Sequence, residues 1–180
     1  MGALVHIFGA SGSGTSTLGA ALAAQCGFRQ LDTDDFFWQP TDPPFTVKRP
    51  RPERLTLLRQ ALSEAEKTVL SGALCGWGDE LIPLMTLAVR VITPTDVRLR
   101  RLRERESRRF GERVRPGGDM HEAHLAFLDW AAAYDTGDLS MRSRAEHDAW
   151  SATLCCPLYV ADGTRPADET ASLLRERFAL

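Results

Sequence analysis

The stretch Gly9-Ala10-Ser11-Gly12-Ser13-Gly14-Thr15-Ser16-Thr17 constrains this chain more than any other. It fits the phosphate-cradling pattern of glycine, four residues, glycine, lysine, then serine or threonine at every position but one. Gly9, Gly14 and Ser16 are in place, and Thr15 stands where the lysine should be. Leu4 to Phe8 before it reads as a short buried strand, and Leu18 to Gln25 after it as an alanine-rich helix. A strand feeding a glycine-rich turn into a helix N-terminus aims several backbone N–H groups at one spot, with the helix dipole behind them. Such a cradle binds phosphate without a lysine. What Thr15 lacks is the charge that stabilises the β- and γ-phosphates during transfer.

A dinucleotide-binding turn is the rival reading, since Gly9-x-x-Gly12 resembles some nicotinamide sites and Asp32 lies about where a ribose-binding acid would. Against it, the next glycine, Gly14, falls one position too early, and Tyr134 has no lysine four residues on. A purely structural glycine turn is less favoured still, because so glycine-rich a run is costly to order with no ligand.

The chain has 180 residues, the size of one domain with a real core, and a net charge of −2, which argues against a dedicated nucleic-acid binder. Cys26, Cys75, Cys155 and Cys156 show no paired C-x-x-C spacing and read as reduced thiols, with Cys155 and Cys156 in the core. No leader or membrane-length apolar stretch is legible, so a cytoplasmic protein is expected, with no membrane partner. The only lysines are Lys48 and Lys67.

Strands and helices alternate. Strands are expected at Phe28 to Leu31, Thr68 to Leu70, Leu87 to Ile92 and Leu158 to Val160. Helices are expected at Pro50 to Glu66, after Pro94, from a capping box of Asp119 and Glu122 towards Tyr134, and at Asp168 to Phe178. The order predicts a parallel sheet covered on both faces. The segment from Tyr134 to Ala149 is the least readable.

Ligands of such sheets sit beyond the carboxyl ends of the strands. That places Asp32 to Asp35 and Gly76 to Asp79 at the site and puts Lys67 at the opposite end, whereas Lys48 could approach. On an extended segment Asp32 and Asp34 point to one side. Asp32 with Ser16 can hold Mg²⁺, and Asp34 can accept the proton of an attacking hydroxyl; the alternative is that Asp34 or Asp35 caps the next helix. Arg98, Arg101, Arg105 and Arg108 form one helical stripe whose repulsion an anionic ligand would relieve. Arg113 and Arg115, beside Gly117 and Gly118, suggest a loop that closes over phosphates. Trp77, between glycines, suggests stacking on a substrate ring, whereas Phe36, Phe37 and Trp38 read as core. His121 and His124 lack a third ligand.

The whole chain resembles the P-loop small-molecule and nucleoside-monophosphate kinases, including adenylate, shikimate and gluconate kinases. Gly9 to Gly19 follows their loop and first helix, and Leu31-Asp32-Thr33-Asp34 is similar to the Asp-x-Asp of shikimate kinases. Arg101 and Arg105 match the arginine pair before the lid of adenylate kinases. Asp162-Gly163-Thr164-Arg165-Pro166 resembles their adenine-side loop. The chain also looks like bacterial proteins described as adenylate-kinase-like or AAA-family ATPases that carry this Gly-Thr-Ser-Thr variant.

The resemblance implies one three-layer α/β/α domain over residues 1–180, with a five-stranded parallel sheet, an acceptor region at about 34–66 and a small lid at about 109–136. It implies nucleotide binding by Gly9, Ser11, Gly12, Ser13, Gly14, Thr15, Ser16, Thr17, Arg101, Gly163 and Arg165, and Mg²⁺ at Ser16 and Asp32. Asp34, Arg101, Arg105, Arg113 and Arg115 are the expected catalytic groups, with Arg105 favoured to replace the missing charge. The basic stretch Pro43 to Arg54, with Lys48, Arg49 and Arg54, joins Asp34 and Trp77 around an anionic acceptor. An ATP- and Mg²⁺-dependent phosphotransferase, monomeric or homodimeric, is the expectation. A nucleotide-binding regulator or slow ATPase is the main alternative, and a dehydrogenase a distant third.

Overall fold

A computed structural model describes residues 3–180. Five strands form one parallel sheet: β1 (Ala3–Gly9), β2 (Arg29–Asp32), β3 (Lys67–Ser71), β4 (Leu87–Ile92) and β5 (Leu158–Asp162), in the spatial order β2-β3-β1-β4-β5. Between them run α1 (Thr15–Cys26), α2 (Thr33–Phe37), α3 (Arg51–Ser63), α4 (Thr95–Phe110), α5 (His121–Ala132) and α6 (Arg144–Ser151), and α7 (Ala167–Phe178) closes the chain. All strands run one way because each connection crosses over through helix or loop and returns on a face of the sheet.

The period-2 alternation of β1 splits the core into two layers. Leu4 and Phe8 point into a cluster with Leu55 and Leu58 of α3, Leu70, and Trp150 of α6. Val5 and Ile7 point the other way, into a cluster with Leu18 and Leu22 of α1 and Ala171 and Leu174 of α7. The result is a three-layer α/β/α sandwich. Phe8 is fully buried and meets Trp150 edge-on at 5.0 Å between ring centres, so truncating it to alanine costs about 3–5 kcal/mol. A third cluster joins Leu102 of α4 to Leu128 and Ala131 of α5, which anchors α5 on α4.

Prolines set several helix starts. Pro50, Pro94 and Pro166 stand at the N-caps of α3, α4 and α7, where a missing N–H is harmless and φ is preset. The capping box expected from Asp119 and Glu122 does not form. Met120 is the N-cap of α5, and the Asp119 carboxylate is taken by Arg113. The least readable stretch holds α6, capped by Ser143, whose hydroxyl accepts from the Glu146 amide. Cys155, expected in the core, is exposed, because β5 begins only at Leu158; all four cysteines are free thiols. Among the described residues no helix is long and apolar enough to cross a membrane.

Candidate active site

The loop between β1 and α1 is assembled as the spacing predicts. Gly14 is the N-cap of α1 at φ +104°, a conformation open to glycine, and no side chain caps the helix, so its first amides face outward. A Cβ at Gly9 would meet the Val91 carbonyl oxygen at 2.5 Å, which is why this loop can lie flat against β4. The Ser13 hydroxyl is buried without a hydrogen-bond partner among the described residues, beside the glycine-rich turn. Thr15 opens α1 and its carbonyl accepts from the Ser71 hydroxyl, leaving no cation in the loop itself.

The Ser16 hydroxyl donates to Asp32 Oδ2 at 2.7 Å. These two hard oxygen ligands from the helix start and the end of β2 are the pair a Mg²⁺ site of this type needs, and they fit it. Asp32 does double duty, since its Oδ1 accepts from the Asp34 amide and caps α2. Asp34 is therefore not on an extended segment, and neither it nor Asp35 is the cap. It sits in the first turn of α2, and the geometry that brings it to the site is a helical turn. Desolvation raises its carboxyl above the usual value, the Asp32 charge adds to this, and the guanidiniums of Arg142 and Arg105 pull the other way. Arg142 was not singled out in the sequence. It lies in the stretch without readable periodicity, and its position became visible only through the fold.

Beside the loop, a cavity of about 380 Å³ is lined by Ser13, Gly14, Thr17, Arg101, Gly163 and Arg165, among others. Arg101 Nη1 donates to the Gly163 carbonyl at 3.0 Å and to the Ser13 carbonyl at 3.4 Å, tying the loop after β5 to the glycine-rich turn. Gly163 permits that approach, since a Cβ there would stand 2.5 Å from the Ser13 oxygen. Arg165 pairs loosely with Glu169. The arginine stripe of α4 divides by role. Arg98 is 1% exposed and held by the carbonyls of Thr93 and Ala131 and by Asp135, so it is a structural strut and not a ligand arginine. Arg105 stays half exposed, hydrogen-bonded to its neighbour Glu106, on the side facing Asp34.

Other expected site residues are used differently. Trp77 is 6% exposed, its indole N–H donated to the Ala73 carbonyl, so it packs in the core and cannot stack on a substrate. Arg49 donates to the carbonyls of Phe36 and Trp38 and pairs with Glu53, which clamps the segment after α2. Arg113 joins Asp119 to Asp42 at 2.7 Å each, which holds the Gly111–Val114 turn against the segment after Trp38; the two carboxylates push its already high pKa further up. Arg115 pairs with Glu112. Lys48 is exposed, its backbone bridged to Trp38. Arg54 lies 3.8 Å over the Phe37 ring and donates Nε to the Arg49 carbonyl; desolvation lowers its pKa. Its terminal nitrogens have no protein partner among the described residues.

A parallel five-stranded sheet, a glycine-rich loop capping the first helix and a carboxylate pair beyond β2 together define a P-loop protein with a kinase-type fold. The family comparison agrees: the model described as an AAA domain matches residues 5–123, and the chain belongs to that family. "Uncharacterized protein YqaC" of Bacillus subtilis is 49% identical over 154 residues, covering 86% of this chain and 85% of the relative. Among solved structures, a shikimate kinase from Bacteroides thetaiotaomicron superposes with a TM-score of 0.59 at 18% identity, over 99% of each chain. A shikimate kinase from Acinetobacter baumannii in complex with shikimate gives 0.56 at 17% identity, over 99% of this chain and 94% of that one. At such identities these two likenesses speak for the fold.

Proposed function

We propose that the chain is an ATP- and Mg²⁺-dependent phosphotransferase acting on a small anionic acceptor that carries a hydroxyl or phosphate. The observation that carries this reading is Asp34. A carboxylate with a raised pKa, flanked by Arg105 and Arg142, stands two residues on from Asp32, whose carboxylate pairs with Ser16 at the mouth of the phosphate loop.

In this reading the nucleotide base and ribose occupy the cavity beside Arg101 and Gly163, and the β-phosphate lies on the Gly12-to-Thr17 amides. Ser16 and Asp32 would hold Mg²⁺, which would supply positive charge to offset that of the phosphates. Asp34 takes the proton of the acceptor hydroxyl. The acceptor oxygen then forms its bond to the γ-phosphorus, the bond to the β–γ bridging oxygen breaks, and ADP leaves. Arg105 balances the charge on the transferring group, the task Thr15 cannot perform.

The acceptor's anionic end is met by Arg54, whose ring-stacked guanidinium is preoriented, and by Arg142, which lies 5.5 Å over Trp130. Shikimate, bound in the Acinetobacter enzyme, combines hydroxyls with a carboxylate. Acids of that chemistry and nucleoside monophosphates both suit the cleft. Thr15 supports a second reading, a nucleotide-binding regulator or slow ATPase.

The test mixes protein, Mg²⁺ and labelled ATP with a panel of hydroxy acids, sugars and nucleoside monophosphates. Acceptor-dependent ADP release supports the kinase. ATP binding with no acceptor dependence supports the regulator, and no ATP affinity removes both.

A further inference from the structure

Next to the cleft, one ring nitrogen of His147, the Cys75 thiol and a Glu146 carboxylate oxygen all lie within 4.8 Å of one another. We propose that these three side chains form a binding site for a thiophilic divalent cation of the Zn²⁺ type, with one coordination position left open.

Three observations carry it. His147 is fully buried, its Nδ1 sits 2.8 Å from the Tyr134 phenol oxygen, and Nε2 has no hydrogen-bond partner among the described residues. In the tautomer that carries its proton on Nδ1 and donates it to the phenol, Nε2 has a bare lone pair free for a cation. An imidazole fixed by an oxygen on its far nitrogen is the usual arrangement of a metal-binding histidine. The backbone around the cluster is also pinned. Asp79 Oδ1 accepts from the Gly76 amide and from the Trp150 indole, which binds the loop carrying Cys75 to the helix carrying Glu146 and His147.

The third observation is chemical. One sulfur, one imidazole and one carboxylate are the ligand types a tetrahedral Zn²⁺ takes when a fourth position stays free. Bonds of about 2.0–2.3 Å place tetrahedral ligand atoms about 3.3–3.8 Å apart, a modest contraction from the present spacing. Burial, the largest cause in each case, helps push the Cys75 thiol up to about 12 and the His147 imidazole down to about 3, and raises Glu146 as well. The thiol and the imidazole are thus held uncharged until a cation arrives. Arg142 opposes such a cation and Asp79 favours it, and the thiolate and carboxylate together supply the two negative charges that match it. Binding forms the sulfur–metal bond and releases the Cys75 proton to solvent.

The experiment uses tag-free, full-length, chelator-stripped protein and Co²⁺ alone, with neither nucleotide nor acceptor, so its outcome is separate from that of the kinase assay. One equivalent should give tetrahedral cobalt bands with a thiolate-to-cobalt charge-transfer band, displaced by Zn²⁺. Cys75→Ser should lose the charge-transfer band. Glu146→Gln, at a partly exposed position, should weaken binding more than about tenfold, and Tyr134→Phe should weaken it about 10- to 100-fold while keeping the band. A charge-transfer band that survives Cys75→Ser assigns the ion to other thiols and overturns the proposal. So does unchanged affinity in a folded Glu146→Gln protein.

Discussion

His6 and His147 should make this protein acid-sensitive well above the range in which carboxylates titrate. Both imidazoles are fully buried, His6 on β1 between Phe8 and Trp150 and His147 on α6 against Phe8 and Tyr134. Desolvation, the largest cause in each case, lowers His6 to about 4 and His147 to about 3. In the unfolded chain both groups titrate near 6.5. The folded pKa is the lower one, so the unfolded state binds more protons, and stability falls as pH drops from about 6.5. At pH 5 both are neutral when folded and charged when unfolded. Each group then withdraws one and a half pH units at about 1.36 kcal/mol per unit, or about 4 kcal/mol for the pair. This figure needs only that both folded values lie below 5. Asp34 and Glu146 work in the opposite direction: their folded pKa values are raised, so they take up protons first in the native state and add stability as pH falls. The net loss between pH 7 and pH 5 should therefore be about 2–4 kcal/mol. Urea unfolding followed by tryptophan fluorescence, with chelator present, measures it, and His147→Gln should roughly halve the pH slope. A loss under about 1 kcal/mol, or a slope unchanged in His147→Gln, would show that the imidazoles are hydrated and refute the reasoning from burial.

Gly14→Val puts a side chain at φ +104° on the wall of the cavity beside the loop, where even a Cβ stands 3.6 Å from Arg101 Nη1; calorimetry should show ATP affinity down at least about tenfold. Asp34→Asn should lower acceptor-dependent turnover about 10²–10⁴-fold with ATP affinity kept, and near-normal turnover would reduce Asp34 to a helix residue. Thr15→Lys should restore rate to an Arg105→Ala protein if the two positions supply the same charge. Arg105→Ala alone with normal turnover would end that assignment. Arg113→Ala frees Asp42 and Asp119, so trypsin should cut the 38–48 segment faster while the unfolding midpoint stays nearly constant; an unchanged cleavage rate would mean that the strut holds nothing in place.

The sheet and the phosphate loop were legible because both are local. Alternating or continuous apolar runs mark β1, β3 and β4, and the glycines sit at fixed offsets from β1. What failed was a matter of environment. Trp77 lies between glycines, as a mobile stacking residue would, but its ring is claimed by the Leu74 and Leu81 layer under β3. Arg98 shares its helical stripe with Arg101 and Arg105, yet one turn earlier the stripe faces carbonyls of α5 and the loop after β4 rather than open cleft. Asp119 stands three residues before Glu122, as a capping box requires, but a guanidinium outcompeted the helix amide for its carboxylate. Arg142 and His147 carried no local signal, since their roles come from α6 folding back over the ends of β1 and β3.

The replacement of lysine by Thr15 has to be weighed against where the chain puts its cations. A loop lysine is a single charge on a flexible stem that reaches back over the phosphates from inside the cradle. Here every cation near the loop enters from outside it: Arg101 from α4 onto the Ser13 and Gly163 carbonyls, Arg105 from the same helix one turn on, and Arg142 from the segment before α6. The ground-state cradle loses little by this, because its amides and the α1 dipole remain. In the proposed phosphotransferase the transition state would lack a fixed charge and would depend instead on arginines that sit on α4, the helix against which α5 packs. Among the described residues Arg105 is held only by its neighbour Glu106 and is half exposed, so a turn toward a phosphate would exchange one anionic partner for another. On the proposed reading, charge compensation would thereby be coupled to the position of α4, and with it to the Arg113 strut that links the turn after α4 to Asp42.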